Sequence, residues 1–182
     1  MRQVGYGSYQ VKTEEPIYDS LRFGYRYIDT AAYYENEAAV ARQVKRAYTE
    51  LGLKRSDLFI SSKMWCTNIG YEKAKAAITQ SLTLLEDLEY IDLYFLHFPV
   101  NEEIPPEYEH HVQDRNDTWR ALEEFYHAGK IRQLGISNFL PKHIESLALT
   151  WKVKPVVNQF ELHPLYVEYD TIESCKKHGI VV

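Results

Sequence analysis

Short apolar runs alternate with longer amphipathic segments along the whole chain. Runs of about 4–8 apolar residues, rich in β-branched and aromatic side chains, are typical of buried strands, whereas apolar residues spaced three and four apart are typical of helices. The pattern predicts strands at residues 4–9, 25–28, 58–63, 91–97, 131–136 and 156–160, with a seventh beginning at 180–182. It predicts helices between them at residues 13–23, 35–51, 71–88, 119–127, 141–150 and 168–177.

This alternation predicts an α/β fold in which helices connect the strands of a parallel sheet, either doubly wound or closed into a barrel. Two features favour the barrel. No GxGxxG sequence opens a helix after the first strand, as it does in many doubly wound domains. Polar residues also recur where successive strands end, at Asp29, Lys63, His97, Ser137, Asn138 and Gln159. Because all strands of such a barrel end at one face, we expect these side chains to converge there.

The composition is that of an ordinary globular protein, and a length of 182 residues is enough for one domain over residues 1–182. A net charge of -5, with Lys and Arg dispersed along the chain, argues against binding to nucleic acid or to a membrane. Cys66 and Cys175 lack the spacing of a disulfide framework, so reduced thiols are expected. With neither a secretory signal pattern nor a long apolar run, the expected location is the cytoplasm.

A polar insertion at residues 99–115 predicts a loop over one end of the fold. It contains the pair His110-His111, which raises the alternative of a metal site. The spacing is not HExxH, and adjacent residues of an extended segment point in opposite directions. No metal site is therefore expected.

Four polar residues at neighbouring strand ends form a candidate proton-donating site: Asp29, Tyr34, Lys63 and His97. A phenol is a reluctant acid at neutral pH, and a nearby ammonium group makes it a better proton donor. In this hypothesis Tyr34 protonates a bound carbonyl oxygen, which His97 orients, while Asp29 keeps Lys63 protonated. A structural Asp29–Lys63 ion pair and a core histidine with satisfied hydrogen bonds are the alternatives.

Several blocks of the chain resemble the aldo-keto reductase superfamily. Residues 24–31, together with Tyr34, Asn36 and Glu37, resemble its first signature, and residues 91–99 resemble its histidine-bearing strand. Residues 129–139 and 158–165 are similar to the two blocks that follow. The resemblance covers nearly the whole chain. Tyr27 departs from it where His is common, and Glu35 where Gly is common.

The resemblance implies a (β/α)8 TIM barrel that reduces aldehydes and ketones with NADPH, bound extended and without a Rossmann fold. It assigns catalysis to Asp29, Tyr34, Lys63 and His97. It assigns cofactor binding to Ser8, Tyr9, Asp29, Ser137, Asn138 and Gln159, and an aromatic substrate pocket to Tyr9, Tyr33, Trp65 and Phe98. The expected partner is a small aldehyde or ketone, and the complete barrel is expected to be a monomer.

The chain holds about six and a half of the eight strands of such a barrel, and it falls below the usual lower length of about 200 residues. The resemblance therefore implies a barrel truncated at its C-terminus, without most of the segment that holds the 2′-phosphate of NADPH. Two functions stay open. One is an NADPH-dependent carbonyl reductase, and the other is a truncated, non-catalytic barrel fragment with a binding or structural role.

Overall fold

A computed structural model describes residues 4–182. Strands and helices alternate throughout this part of the chain. The strands are β1 (Tyr6–Gly7), β2 (Tyr27–Asp29), β3 (Phe59–Met64), β4 (Leu93–Leu96), β5 (Leu134–Ser137) and β6 (Val157–Gln159). The α-helices are α1 (Glu15–Arg22), α2 (Glu37–Glu50), α3 (Tyr71–Leu84), α4 (His111–His127), α5 (Pro141–Ala148) and α6 (Tyr169–His178).

The six strands form one parallel sheet in which spatial order follows sequence order from β1 to β6. A doubly wound sheet reverses its strand order part-way, so this order belongs to a barrel. The sheet curls until the Gln159 amide nitrogen in β6 lies 3.5 Å from the Asp29 carboxylate in β2. The prediction of an incomplete (β/α)8 barrel is confirmed. The predicted seventh strand begins as an isolated parallel bridge between Val181 and Val157.

Both faces of the sheet are buried, which explains why the strands read as continuous apolar runs. The outer face packs against the helices through residues such as Ile28 and Ile60. The inner face holds a separate cluster around Leu93, Phe95 and Val157. Gly135 makes room for this cluster, because a Cβ atom at that position would lie 2.6 Å from the Phe95 ring.

The main difference from the predicted elements lies before the fourth helix. Helix α4 begins at His111 rather than at residue 119, so its first turns occupy part of the predicted loop at residues 99–115. This segment is polar in sequence, but Arg115 and Thr118 are buried on the inner side of the helix. Polar residues in core-facing positions concealed the helical period. Strand β5 is likewise shorter than expected, since Ile131 forms only an isolated bridge with Ile91.

Cys66 and Cys175 are both buried and free. No helix within residues 4–182 combines the length and apolar character needed to cross a membrane. In the same part of the chain, no three metal-ligating side chains are grouped closely enough to hold an ion.

Candidate active site

Three parallel strands deliver three of the four predicted catalytic residues to one face of the sheet. Asp29 is the last residue of β2, Lys63 lies near the end of β3, and His97 directly follows β4. The register pairs Lys63 with Phe95, two residues before His97 along the neighbouring strand. The convergence follows from the topology, because parallel strands in consecutive order bring their carboxyl ends together.

Tyr34 reaches the same place through a short 3-10 turn, Ala32–Tyr34, that follows β2. The turn is closed by Glu35, which adopts the left-handed conformation with φ of 54°. Asn36 then fixes the turn to both neighbouring strand ends. Its amide nitrogen donates a hydrogen bond to the Ser8 carbonyl at 2.8 Å, and its amide oxygen accepts one from the Thr30 hydroxyl at 2.6 Å. This support of Tyr34 by Asn36 was missed from the sequence.

The Lys63 ammonium group is the centre of the site. It donates hydrogen bonds to the Asp29 carboxylate at 2.5 Å, to the Tyr34 hydroxyl at 3.1 Å and to the Thr30 carbonyl at 3.1 Å. An ammonium group has three N–H donors, so each donor has an acceptor. The Lys63 side chain is 1% exposed and that of Asp29 is 15% exposed. These contacts are those of a buried, charged lysine.

Asp29 also accepts a hydrogen bond from the Ser61 hydroxyl at 2.5 Å. Ser61 lies two residues before Lys63 on β3, so the same strand supplies both donors. The alternation of side chains along a strand places them on the same face. Ser61 was not singled out from the sequence, although its spacing from Lys63 is a usable signal.

His97 is buried beside this group, and its ring centroid is 5.9 Å from that of Tyr34. Burial, with a smaller effect from the Lys63 charge, lowers the pKa of His97 to about 3. The imidazole is therefore neutral at physiological pH and has one N–H to donate. Its Nδ1 atom has no hydrogen-bond partner within residues 4–182. A core histidine with satisfied hydrogen bonds would not show this, which weakens that alternative.

Aromatic side chains enclose a cavity of about 190 Å³ at this mouth. Tyr33 stacks on Trp65 with ring centroids 3.9 Å apart, and Phe98 meets the edge of Trp65 at 5.6 Å. The lining consists of Tyr9, Tyr33, Tyr34, Trp65, His97 and Phe98. All four predicted substrate-binding residues are thus in the lining, together with Tyr34 and His97. The walls suit a flat, apolar molecule with one polar atom.

A larger cavity of about 310 Å³ adjoins the first, and Phe98 borders both. Its other walls come from the ends of β5 and β6 and from the start of α6, and include Phe139, Phe160 and Tyr166. Asp29, Tyr34, Lys63 and His97 do not line it. We assign the candidate active site to the smaller cavity because Tyr34 and His97 line it and Lys63 contacts Tyr34.

Apart from Asp29, which contacts Lys63, the residues predicted to bind the cofactor fall into two groups. Ser137, Asn138 and Gln159 lie together at the ends of β5 and β6, where the Ser137 hydroxyl donates a hydrogen bond to the Gln159 carbonyl at 2.7 Å. The Asn138 amide nitrogen donates to the His97 carbonyl at 3.0 Å, which joins this group to the catalytic residues. Their amide and hydroxyl groups match the chemistry of a carboxamide ligand.

Ser8 and Tyr9 form the second group, but their surroundings differ. The Ser8 hydroxyl is buried and donates a hydrogen bond to the Asp29 carbonyl at 3.0 Å, so it ties β1 to β2. Tyr9 is half exposed at the cavity, and its ring is 4.9 Å from that of Tyr34. Tyr9 is therefore placed to meet a ligand directly, whereas Ser8 supports the strand ends.

The family model of the Aldo/keto reductase family matches residues 9–182. This chain belongs to that family. Glyoxal reductase of Bacillus subtilis (strain 168) is 40% identical over 99% of this chain and 61% of its own length. The 9,11-endoperoxide prostaglandin H2 reductase of Trypanosoma cruzi (strain CL Brener) is 38% identical over the whole chain and 60% of its own length. The chain therefore spans about three fifths of these curated relatives.

Solved structures agree with this assignment. The structure of a Bombyx mori aldo-keto reductase in complex with NADP superposes with a TM-score of 0.87 at 28% identity, over 99% of this chain and 61% of that one. An aldo/keto reductase from Brucella melitensis gives a TM-score of 0.86 at 33% identity, over 99% of this chain and 66% of that one.

Proposed function

We propose that this chain carries the reaction site of a carbonyl reductase that uses NADPH. One observation carries the proposal: the Lys63 ammonium group contacts the Asp29 carboxylate and the Tyr34 phenol at an aromatic mouth. This arrangement supports proton donation by Tyr34. The NADP-bound Bombyx mori relative supports the choice of cofactor.

NADPH, when bound, supplies the hydride that reduces the carbonyl carbon. Tyr34 gives its phenolic proton to the carbonyl oxygen, and the charge that develops on the phenol oxygen is stabilised by Lys63 at 3.1 Å. Asp29 keeps Lys63 charged, and the neutral imidazole of His97 donates a hydrogen bond that orients the carbonyl. Ser137, Asn138 and Gln159 would hold the carboxamide of the nicotinamide ring.

The aromatic lining favours small apolar or aromatic aldehydes and ketones, because such walls remove the hydrocarbon part of the substrate from water. One relative is named glyoxal reductase, and glyoxal is a small dicarbonyl compound. We also propose that the complete barrel acts as a monomer. The two buried free thiols fit a reducing compartment such as the cytoplasm.

The proposal is tested in a joined protein, in which the part of Bacillus subtilis glyoxal reductase beyond the aligned region follows Val182. Loss of NADPH absorbance is followed with benzaldehyde and with glyoxal, and cofactor binding is measured separately by fluorescence. The expected result is turnover that depends on NADPH and on either carbonyl compound. A folded joined protein that binds NADPH but reduces neither compound would contradict the proposal.

The 182-residue chain is measured beside the joined protein. Within the described residues, β1 and β6 are the two ends of the sheet and are not paired with each other. The cofactor would therefore be enclosed from one side only, and we expect weaker NADPH binding than in the joined protein. Equal affinity in both proteins would show that residues 1–182 contain the whole cofactor site.

A further inference from the structure

Arg115 is a buried cation that the proposed mechanism does not use. It lies near the start of α4 and is only 2% exposed. Its guanidinium group donates to the Pro99 carbonyl at 3.1 Å and to the Ser146 hydroxyl at 2.5 Å, and its Nε atom has no partner within residues 4–182. Both acceptors are neutral. A buried charge without a counter-ion is unfavourable, so its position requires an explanation.

The two acceptors show what Arg115 holds together. Pro99 directly follows Phe98, which forms one wall of the carbonyl cavity, and Ser146 lies on α5. Arg115 therefore bridges α4, the segment after β4 and α5 through a single side chain. Within residues 4–182, Phe98 has no backbone pairing in the sheet, because β4 ends at Leu96.

Phe98 in turn defines the shape of the mouth. Its ring stacks on that of His97 with centroids 5.4 Å apart and an interplanar angle of 21°, and it meets the edge of Trp65 at 5.6 Å. A shift of the Pro99 peptide would move this ring relative to both neighbours. Small displacements at such a wall change the fit of a flat substrate more than that of a small one.

We propose that Arg115 is a positioning residue that fixes the Phe98 wall and so sets the preference for aromatic over small aliphatic carbonyl compounds. The inference rests on the proposed function. The guanidinium fork suits this role because it is planar and presents several donors in a fixed geometry. Two different guanidinium nitrogens make the two contacts, and the single ammonium nitrogen of lysine does not offer that separation.

The pKa of a neighbouring histidine depends on the charge of Arg115. Burial, followed by the charges of Arg115 and Lys142, lowers the pKa of His143 to about 4. His143 is thus neutral at physiological pH, and its Nδ1 atom accepts a hydrogen bond from the Leu140 amide at 3.2 Å. Replacing Arg115 by a neutral residue of similar size should raise the pKa of His143.

The kinetic test compares Arg115→Met, Arg115→Lys and the control Arg120→Met in the joined protein. Arg120 lies on the same helix but is exposed and pairs with Asp117, so its loss removes a similar charge away from Phe98. For Arg115→Met, KM for benzaldehyde should rise about fivefold, which is the effect of losing one aromatic contact. The kcat values for both compounds and KM for glyoxal should change less than about twofold. Arg115→Lys should show a smaller rise, and Arg120→Met none.

A second readout in the 182-residue chain does not depend on turnover. The amides of Glu103 and Ile104 are hydrogen bonded to Asn101, two residues beyond Pro99. Their hydrogen exchange should be about tenfold faster in Arg115→Met and unchanged in Arg120→Met. Equal exchange in wild type and Arg115→Met, or equal effects on KM for benzaldehyde and glyoxal, would overturn the inference.

Failure of the inference and failure of the proposed function give different results. If the wild-type joined protein has no reductase activity, the proposed function fails, and the amide exchange of Glu103 and Ile104 decides whether Arg115 fixes the wall. If Arg115→Met does not fold, Arg115→Lys keeps the buried charge and tests the loss of one contact alone.

Discussion

The ammonium group of Lys63 and the phenol of Tyr34 are joined by a hydrogen bond of 3.1 Å although the two residues are 29 positions apart in sequence. The contact exists because β3 carries Lys63 to the end of the sheet while the turn after β2 folds Tyr34 back over it. Lys63 contacts Asp29 in the same arrangement. The Lys63 ammonium group thereby lies between the Asp29 carboxylate and the Tyr34 hydroxyl and donates a hydrogen bond to each.

Removing the charge of Lys63 should lower the stability of the chain. In Lys63→Met the Asp29 carboxylate keeps, among residues 4–182, only the Ser61 and Gln159 side-chain donors, so the free energy of unfolding should fall by about 3 kcal/mol. Adding Asp29→Asn removes the uncompensated charge and should recover at least about 1 kcal/mol. Urea denaturation of the 182-residue variants measures this. Independent, additive losses in the double variant would show that the two side chains are not coupled.

The burial of His97 predicts a specific dependence of stability on pH. In the unfolded chain histidine takes up a proton near its ordinary pKa of 6.5, whereas the pKa of folded His97 is about 3. Because the unfolded state binds the extra proton between these values, His97 contributes full stability above about pH 6.5 and loses it progressively as the pH falls towards 3.

His97→Gln removes this contribution while keeping a polar side chain. Between about pH 7 and about pH 5, the wild-type chain should lose about 2 kcal/mol more stability than His97→Gln. The lowered pKa of His143 also makes stability fall with pH, but it does so equally in both proteins, so its contribution cancels from the comparison. Identical pH profiles in urea denaturation would mean that His97 titrates normally in the folded chain.

The inner face of the barrel leaves no room at Gly135. Two ring atoms of Phe95 lie 2.6 Å from the position of an added Cβ atom, and the side chain of Leu93 lies 3.2 Å from it. Gly135→Ala should therefore destabilise the chain by about 1–3 kcal/mol. Gly7→Ala in β1 is the matched control, because an added Cβ atom there has no atom of residues 4–182 within 4 Å apart from the adjacent residues. We expect Gly7→Ala to stay within about 1 kcal/mol of wild type. A smaller loss for Gly135→Ala than for Gly7→Ala would contradict the described packing.

The sheet and the meeting of Asp29, Lys63 and His97 could be predicted from the sequence because they depend on short-range patterns. Continuous apolar runs mark strands that are buried on both sides, and a polar residue at each carboxyl end then falls on one face. Tyr34 was found through its place in the block that follows Asp29. These features can be predicted without knowing which side chains are in contact.

The parts that were missed depend on contacts between distant segments. The start of α4 was placed too late because Arg115 and Thr118, polar residues, occupy its buried side. The role of Asn36 depends on the Ser8 carbonyl, 28 residues away, and no local pattern shows that contact. The bridge from Arg115 to Ser146 spans 31 residues and is invisible for the same reason.

Tyr34 is the proposed proton donor, and one substitution isolates its hydroxyl group. In the joined protein, Tyr34→Phe keeps the aromatic ring in the cavity but removes the group that Lys63 contacts. Positioned acid catalysis contributes about a hundred- to ten-thousand-fold, so kcat with benzaldehyde should fall at least about a hundredfold while NADPH binds with unchanged affinity. Turnover equal to that of the wild-type joined protein would contradict the account and remove Tyr34 from the reaction.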